Sequence, residues 1–128
     1  MNKLVIDAAS EKIYLMVITK DDIYNITKEN TKINYERLIL IVINFLNTNR
    51  LKLNNINKVY VNRGPGSFAG IRNSLSLVKA FNVTKNIDYY CYSFNDFKDQ
   101  KDVKYENIPD LCDKLKIKKN LINPIYLS

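Results

Sequence analysis

The sequence predicts a single mixed α/β domain. Three observations carry this. The first quarter is rich in β-branched and aromatic runs broken by short polar turns. The middle reads strand, glycine-rich turn, helix, strand, which is the order of a parallel βαβ unit with a right-handed crossover. The 128 residues, 46% of them apolar, suit one hydrophobic core.

The elements follow in order. "KLVIDAAS" from Lys3 is a short apolar strand stopped by small residues, and "KIYLMVIT" from Lys12 to Thr19 is a second strand. Lys20-Asp21-Asp22 supplies a polar turn, and Ile23, Tyr24 and Ile26 make a weaker third strand. The first quarter therefore reads as an antiparallel meander. From Asn34, a candidate N-cap, to about Asn49 the pattern becomes a helix.

The centre of that helix, Leu38-Ile39-Leu40-Ile41-Val42-Ile43, is apolar on every side, where a surface helix shows one stripe. Six such residues also suit a buried strand, but Tyr35, Phe45 and Leu46 continue at helical spacing. A small sheet covers one side of such a helix. Two readings of its second side stand equally on these residues: a neighbouring helix of the same chain, or a partner protein.

Lys58 to Asn62 is a buried strand that runs directly into "NRGPGSFAGIR", a stretch holding all three glycines of the chain. A helix from about Ala69 to Phe81 follows, with Ile71, Leu75 and Val78 on its apolar face, and "DYYCYSF" from Asp88 to Phe94 is the fifth strand. The resulting order is β-β-β-α-β-α-β, a mixed five-stranded sheet with the glycine motif at the carboxyl end of a strand, where open α/β sheets place ligands.

Within the motif, Pro65 and Gly66 fit the second and third positions of a type II turn, Ser67 fits an N-cap, and Gly70 leaves room for close approach. Arg63 and Arg72 flank the helix start. With Asp7, Gly64, Gly66, Ser67 and Gly70 they form a candidate anion or nucleotide contact, set against the plainer reading of a tight turn, a cap and two surface arginines. The spacing matches neither phosphate-binding fingerprint. Asp7 ends the first strand and either reaches a cation through water or caps its own turn; the turn is favoured.

Composition excludes several classes. There is no histidine, and Cys91 and Cys112 lack metal-ligand spacing, so neither a zinc site nor a cysteine–histidine pair is available; the thiols are expected to be free and partly buried. Ser67 has no histidine to activate it, and no catalytic residue is assigned. No apolar run approaches the roughly 20 residues that span a bilayer, and no signal peptide is evident, so the expectation is a cytoplasmic protein without a membrane contact. The net charge of +7 invites a nucleic-acid partner, but arginine occupies only Arg37, Arg50, Arg63 and Arg72, and the lysine run Lys114, Lys116, Lys118 and Lys119 reads as a solvated face.

"IDAAS", the helix opening near "YERL", the strand-linked "RGPGSFAGIR" and the closing "NPIYL" together resemble the TsaB (YeaZ) family of tRNA threonylcarbamoyladenosine biosynthesis, whose signature has threonine where Ala69 stands. The resemblance covers about residues 1–97. It implies an actin-like, ribonuclease-H-like lobe and a protein without chemistry of its own. It also implies a heterodimer with the catalytic TsaD subunit, the TsaE ATPase as a further candidate partner, a homodimer in TsaD's absence, and only indirect contact with tRNA.

In this family the two N-terminal helices form the heterodimer contact. That implies interface roles for Tyr35, Leu38, Ile41, Val42 and Phe45 on one helix and Ile71, Leu75 and Val78 on the other. Two departures stand out. About thirty residues follow Phe97 where relatives carry a second lobe, which implies no complete nucleotide cleft and no cofactor. Ala8 and Ala9 follow Asp7 where active relatives favour glycine, which implies no ATP hydrolysis. The alternatives are an ATP-binding or glycoprotease-like hydrolase and a tRNA-binding module. Residues 98–128 read as a short tail: a polar loop, a helix opened by Pro109, and an apolar end packing back on the lobe.

Overall fold

The structure, a computed structural model, describes residues 1–126; Leu127, which ends the expected "NPIYL" segment, and Ser128 lie outside the described residues. Strands β1 (Lys3–Asp7), β2 (Lys12–Ile18) and β3 (Ile23–Glu29) form the antiparallel meander. β4 (Lys58–Asn62) pairs parallel with β1, and β5 (Asp88–Tyr92) pairs parallel with β4. The sheet order is β3-β2-β1-β4-β5.

The expected single helix from Asn34 to Asn49 is two helices, α1 (Lys32–Glu36) and α2 (Leu38–Thr48). Thr31 is the N-cap in place of Asn34, its Oγ1 accepting from the Asn34 amide at 3.4 Å. Asn34 lies inside α1 and donates from Nδ2 to the Glu29 carbonyl at 2.8 Å, tying the helix to the end of β3. At Arg37 the amide donates three residues back to the Asn34 carbonyl, a tight closure that ends α1 before Ile41 donates to the Arg37 carbonyl and α2 begins.

α3 runs from Phe68 to Lys85, longer than the sequence pattern indicates, and stops where Asn86 adopts a left-handed conformation with φ of 56°. Such a residue closes the last turn by offering its amide to the final carbonyls, here those of Asn82 and Phe81. The turn before α3 also differs from expectation. The Gly64–Pro65 peptide is cis, and positive φ falls on Gly64 (109°), with none at Gly66.

The pleat sends alternate residues to opposite faces, and in β1, β2 and β4 both faces are largely buried, so these strands read as near-continuous apolar runs, unlike the exposed β3. Leu4, Ile6, Leu15, Val59, Val61 and Cys91 pack under α2 and α3. On the other face Val5, Met16, Tyr60 and Tyr92 are covered by the tail, through Phe97, Ile108 and Cys112. The tail holds a 3-10 turn at Phe94–Phe97 and α4 (Ile108–Lys114), with Pro109 in its first turn. It then lies along the outer edge of β5, where Asn120 exchanges hydrogen bonds with Tyr89. The two thiols are free and fully buried, deeper than the composition alone suggests.

Candidate functional site

Asp7 and Asn62 end the adjacent parallel strands β1 and β4, beside Tyr92 at the end of β5, all on the tail-covered face. This is the carboxyl edge where α/β sheets usually hold ligands. Asp7 and Asn62 are turned inward to their own chain, while the buried Tyr92 hydroxyl has no hydrogen-bond partner among the described residues. Asp7 is 2% exposed. Its Oδ1 accepts from the Ala9 amide at 3.0 Å, as the turn reading requires, and its Oδ2 accepts from the Tyr105 hydroxyl at 2.6 Å. Tyr105 stacks on Tyr14 with ring centroids 4.0 Å apart. Burial first, and then the neighbouring Asp7 carboxylate, push the Tyr105 hydroxyl far above its ordinary pKa, so it stays a donor. Asn62 Oδ1 accepts from the Gly64 amide at 2.8 Å.

The loop after Asp7 is clamped from two sides. Asn30 donates from Nδ2 to the carbonyls of Ala8 (2.8 Å) and Ser10 (2.7 Å). The Ser67 amide donates to Ala9 at 2.8 Å, while Ser67 Oγ accepts from Gly70 as the expected N-cap. A Cβ at Gly66 would overlap the Ala9 carbonyl oxygen, and one at Gly70 that of Ala8. The glycines therefore let the start of α3 lie directly on the β1–β2 loop. At Gly64 the positive φ and the Ile125 carbonyl exclude a side chain.

The two flanking arginines do not converge. Arg63 pairs with Asp96 at 3.0 Å and donates to the Asn123 carbonyl at 3.1 Å, while Ile125 donates to the Arg63 carbonyl at 2.7 Å. Arg63 thus anchors the tail. Arg72 is exposed and lines a groove of about 390 Å³ with Tyr35, Glu36 and Phe68. Of the residues expected at the candidate anion contact, Asp7, Arg63, Ser67 and the glycines are held in internal contacts and Arg72 stands apart.

Six of the residues given interface roles are core. Leu38, Val42, Phe45, Ile71, Leu75 and Val78 are at most 4% exposed, because they form the stripes by which α2 and α3 sit on the sheet. Tyr35 and Ile41 are half-buried. The exposed apolar residues on these helices are others: Ile33 (70%), Ile39 (49%), Leu40 (47%), Phe68 (53%) and Val83 (75%). Sequence reasoning also missed Tyr105, Tyr14, Asn30 and Asp96. Only Asp96 carried a signal: it stands three residues after Ser93 and closes a capping box through the Ser93 amide. Among the described residues no group of three or more His, Cys, Asp or Glu side chains is placed to hold a metal, and no helix is long and apolar enough to cross a membrane.

A three-strand meander, a parallel βαβ extension and a site at the β1–β4 carboxyl edge define a ribonuclease-H-like α/β lobe. No family model matches the sequence. The chain is 28% identical over 86 residues to the tRNA threonylcarbamoyladenosine biosynthesis protein TsaB of Buchnera aphidicola, a match covering 67% of this chain and 39% of that protein. Its fold is similar to YeaZ from Pseudomonas aeruginosa, with a TM-score of 0.66 at 18% identity over 72% of this chain and 43% of that one. It is also similar to Thermus thermophilus RuvC, solved with a Holliday junction substrate, with a TM-score of 0.54 at 14% identity over 98% and 83%. Sequence and fold thus point to the same likeness, with TsaB and YeaZ proteins, and the chain spans about two fifths of the length of the curated relative it matches.

Proposed function

We propose that the chain is a non-catalytic accessory subunit in tRNA threonylcarbamoyladenosine formation, supporting the catalytic TsaD subunit through α2 and α3. The similarity to a protein named for that biosynthesis motivates the pathway. The observation that supports an accessory role is the closure of the Asp7 edge: both carboxylate oxygens are taken by Ala9 and Tyr105. The helix-start amide of Ser67, which would otherwise face an anion, is given to Ala9. An anion reaching this edge would have to displace internal hydrogen bonds.

The contact with TsaD then falls on the outer faces of the helices. Ile39, at about half exposure, is the residue to change. Co-expression with TsaD from the same source, followed by size-exclusion chromatography with light scattering, is expected to give a heterodimer with the unaltered chain and separate species with Ile39→Asp. Circular dichroism checks that the variant is folded. Separate elution of the unaltered chain from folded TsaD, or an unaffected complex with Ile39→Asp, counts against the assignment.

A further inference from the structure

The two edges of the sheet are treated differently. At β5 the tail covers the edge: Tyr90 bridges to Lys119, Asn120 bonds Tyr89, and Asn120 Nδ2 reaches Asp88 at 2.9 Å. At the opposite end β3 has β2 on one side and, among the described residues, no strand on the other; only the Glu29 carbonyl at its end is taken, by Asn34 Nδ2. An uncovered edge presents a row of unpaired amide and carbonyl groups to any extended chain.

Beside that edge lies a groove of about 450 Å³ between β3 and α2. Its apolar wall is Ile26, Leu40, Ile41 and Phe45, and its charged residues are Lys28 and Arg37. No carboxylate lines it, and neither cation is in an ion pair among the described residues. At helical spacing the flank of α2 carrying Leu40, Ile41 and Asn44, next to Arg37 at its start, is not the flank carrying Ile39 and Ile43. The groove is therefore distinct from the surface assigned above to TsaD.

We infer that β3 and this groove dock an extended peptide segment of a partner protein, added to the sheet as a sixth strand, with apolar side chains and carboxylates taking turns along its groove-facing row. Backbone hydrogen bonds to the edge supply the pairing; along the one row that faces the groove, an apolar side chain packs against Leu40 and Ile41 and an acid two residues away meets Lys28 and Arg37. A second copy of this chain is disfavoured as occupant. Its own β3 offers no carboxylate on the groove-facing row of Tyr24, Ile26 and Lys28, its one acid, Glu29, is paired with Lys12, and two such molecules would each carry +7.

The test is an NMR titration of the ¹⁵N-labelled full chain with the blocked seven-residue peptide valine-threonine-glutamate-threonine-valine-threonine-glutamate, which sets valine and glutamate on one row. The controls are a valine–lysine peptide of the same pattern, the acidic peptide N-methylated throughout, and sodium glutamate alone. The expected result is shifts confined to amides of β3 and α2 with the acidic peptide, weakened about tenfold by Lys28→Glu or Arg37→Glu, and none with the controls. Unshifted β3 amides at millimolar acidic peptide would overturn the inference. So would equal shifts with the lysine or N-methylated peptide. Equal shifts with glutamate alone would make the groove a small-anion site, and a concentration-dependent doubling of mass in the peptide-free chain would give the edge to a second copy; either also overturns it.

Discussion

The Tyr105 hydroxyl donates to the buried Asp7 carboxylate at 2.6 Å across 98 residues of sequence. This bond joins the tail to the end of the first strand. Tyr105→Phe keeps the stack on Tyr14 but leaves Asp7 Oδ2 without its donor, and should cost about 1–3 kcal/mol in urea denaturation. Tyr60, on the same face, is the opposite case: its buried hydroxyl has no partner. Tyr60→Phe should be neutral or stabilising by up to about 1 kcal/mol, and equal losses at the two positions would contradict this account.

Gly70→Ala places a methyl group against the Ala8 carbonyl, which is backbone in a loop clamped by Asn30 and Asp7. Neither side can yield without breaking a hydrogen bond. A loss of about 1–3 kcal/mol is expected. Ser76→Ala, on the exposed side of the same helix, should stay within about 0.5 kcal/mol. Thermal melts of the two variants side by side check the contrast.

Arg63 holds the tail near Asn123 by a carbonyl contact and an ion pair with Asp96 whose partners are largely buried. Arg63→Met should remove about 2 kcal/mol and speed hydrogen exchange at the Ile125 amide, which donates to the Arg63 carbonyl. Unchanged exchange there would show that the tail is held by other contacts.

Burial pushes the Cys91 and Cys112 thiols up to about 12 from 9.0. In the folded state both retain their protons above the pH at which the unfolded chain releases them. Between pH 9 and 12 the folded form therefore binds more protons, so their contribution to stability is full below pH 9 and falls as pH rises through that window. Ellman's reagent at pH 8 should label both thiols in urea and neither in the native protein before it unfolds. Rapid native labelling would contradict their burial.

Much of the fold was legible because it rests on local pattern. The β-β-β-α-β-α-β order follows from runs such as Ile13–Ile18 and from the Ser67 cap, which are set by side-chain alternation and short-range hydrogen bonds. Thr31 was missed as a cap because Thr31 and Asn34 are both good cap residues, and the choice turned on the bond from Asn34 to Glu29. Leu38, Leu75 and their neighbours were given to a partner through the family resemblance, and the apolar stripe could not correct it because it looks the same whether a sheet or another protein covers it.

The sequence by itself determined the five strands and their order with the helices, the cap at Ser67 and the need for glycine in one short stretch, since each depends on residues within a turn or two of one another. Only the tertiary structure decided what those glycines face, which helix residues remain exposed, that Tyr105 closes over Asp7, and that among the described residues β3 keeps an edge without a neighbouring strand. These relations join residues tens of positions apart, and a one-dimensional pattern carries no record of which distant group will fill a given space.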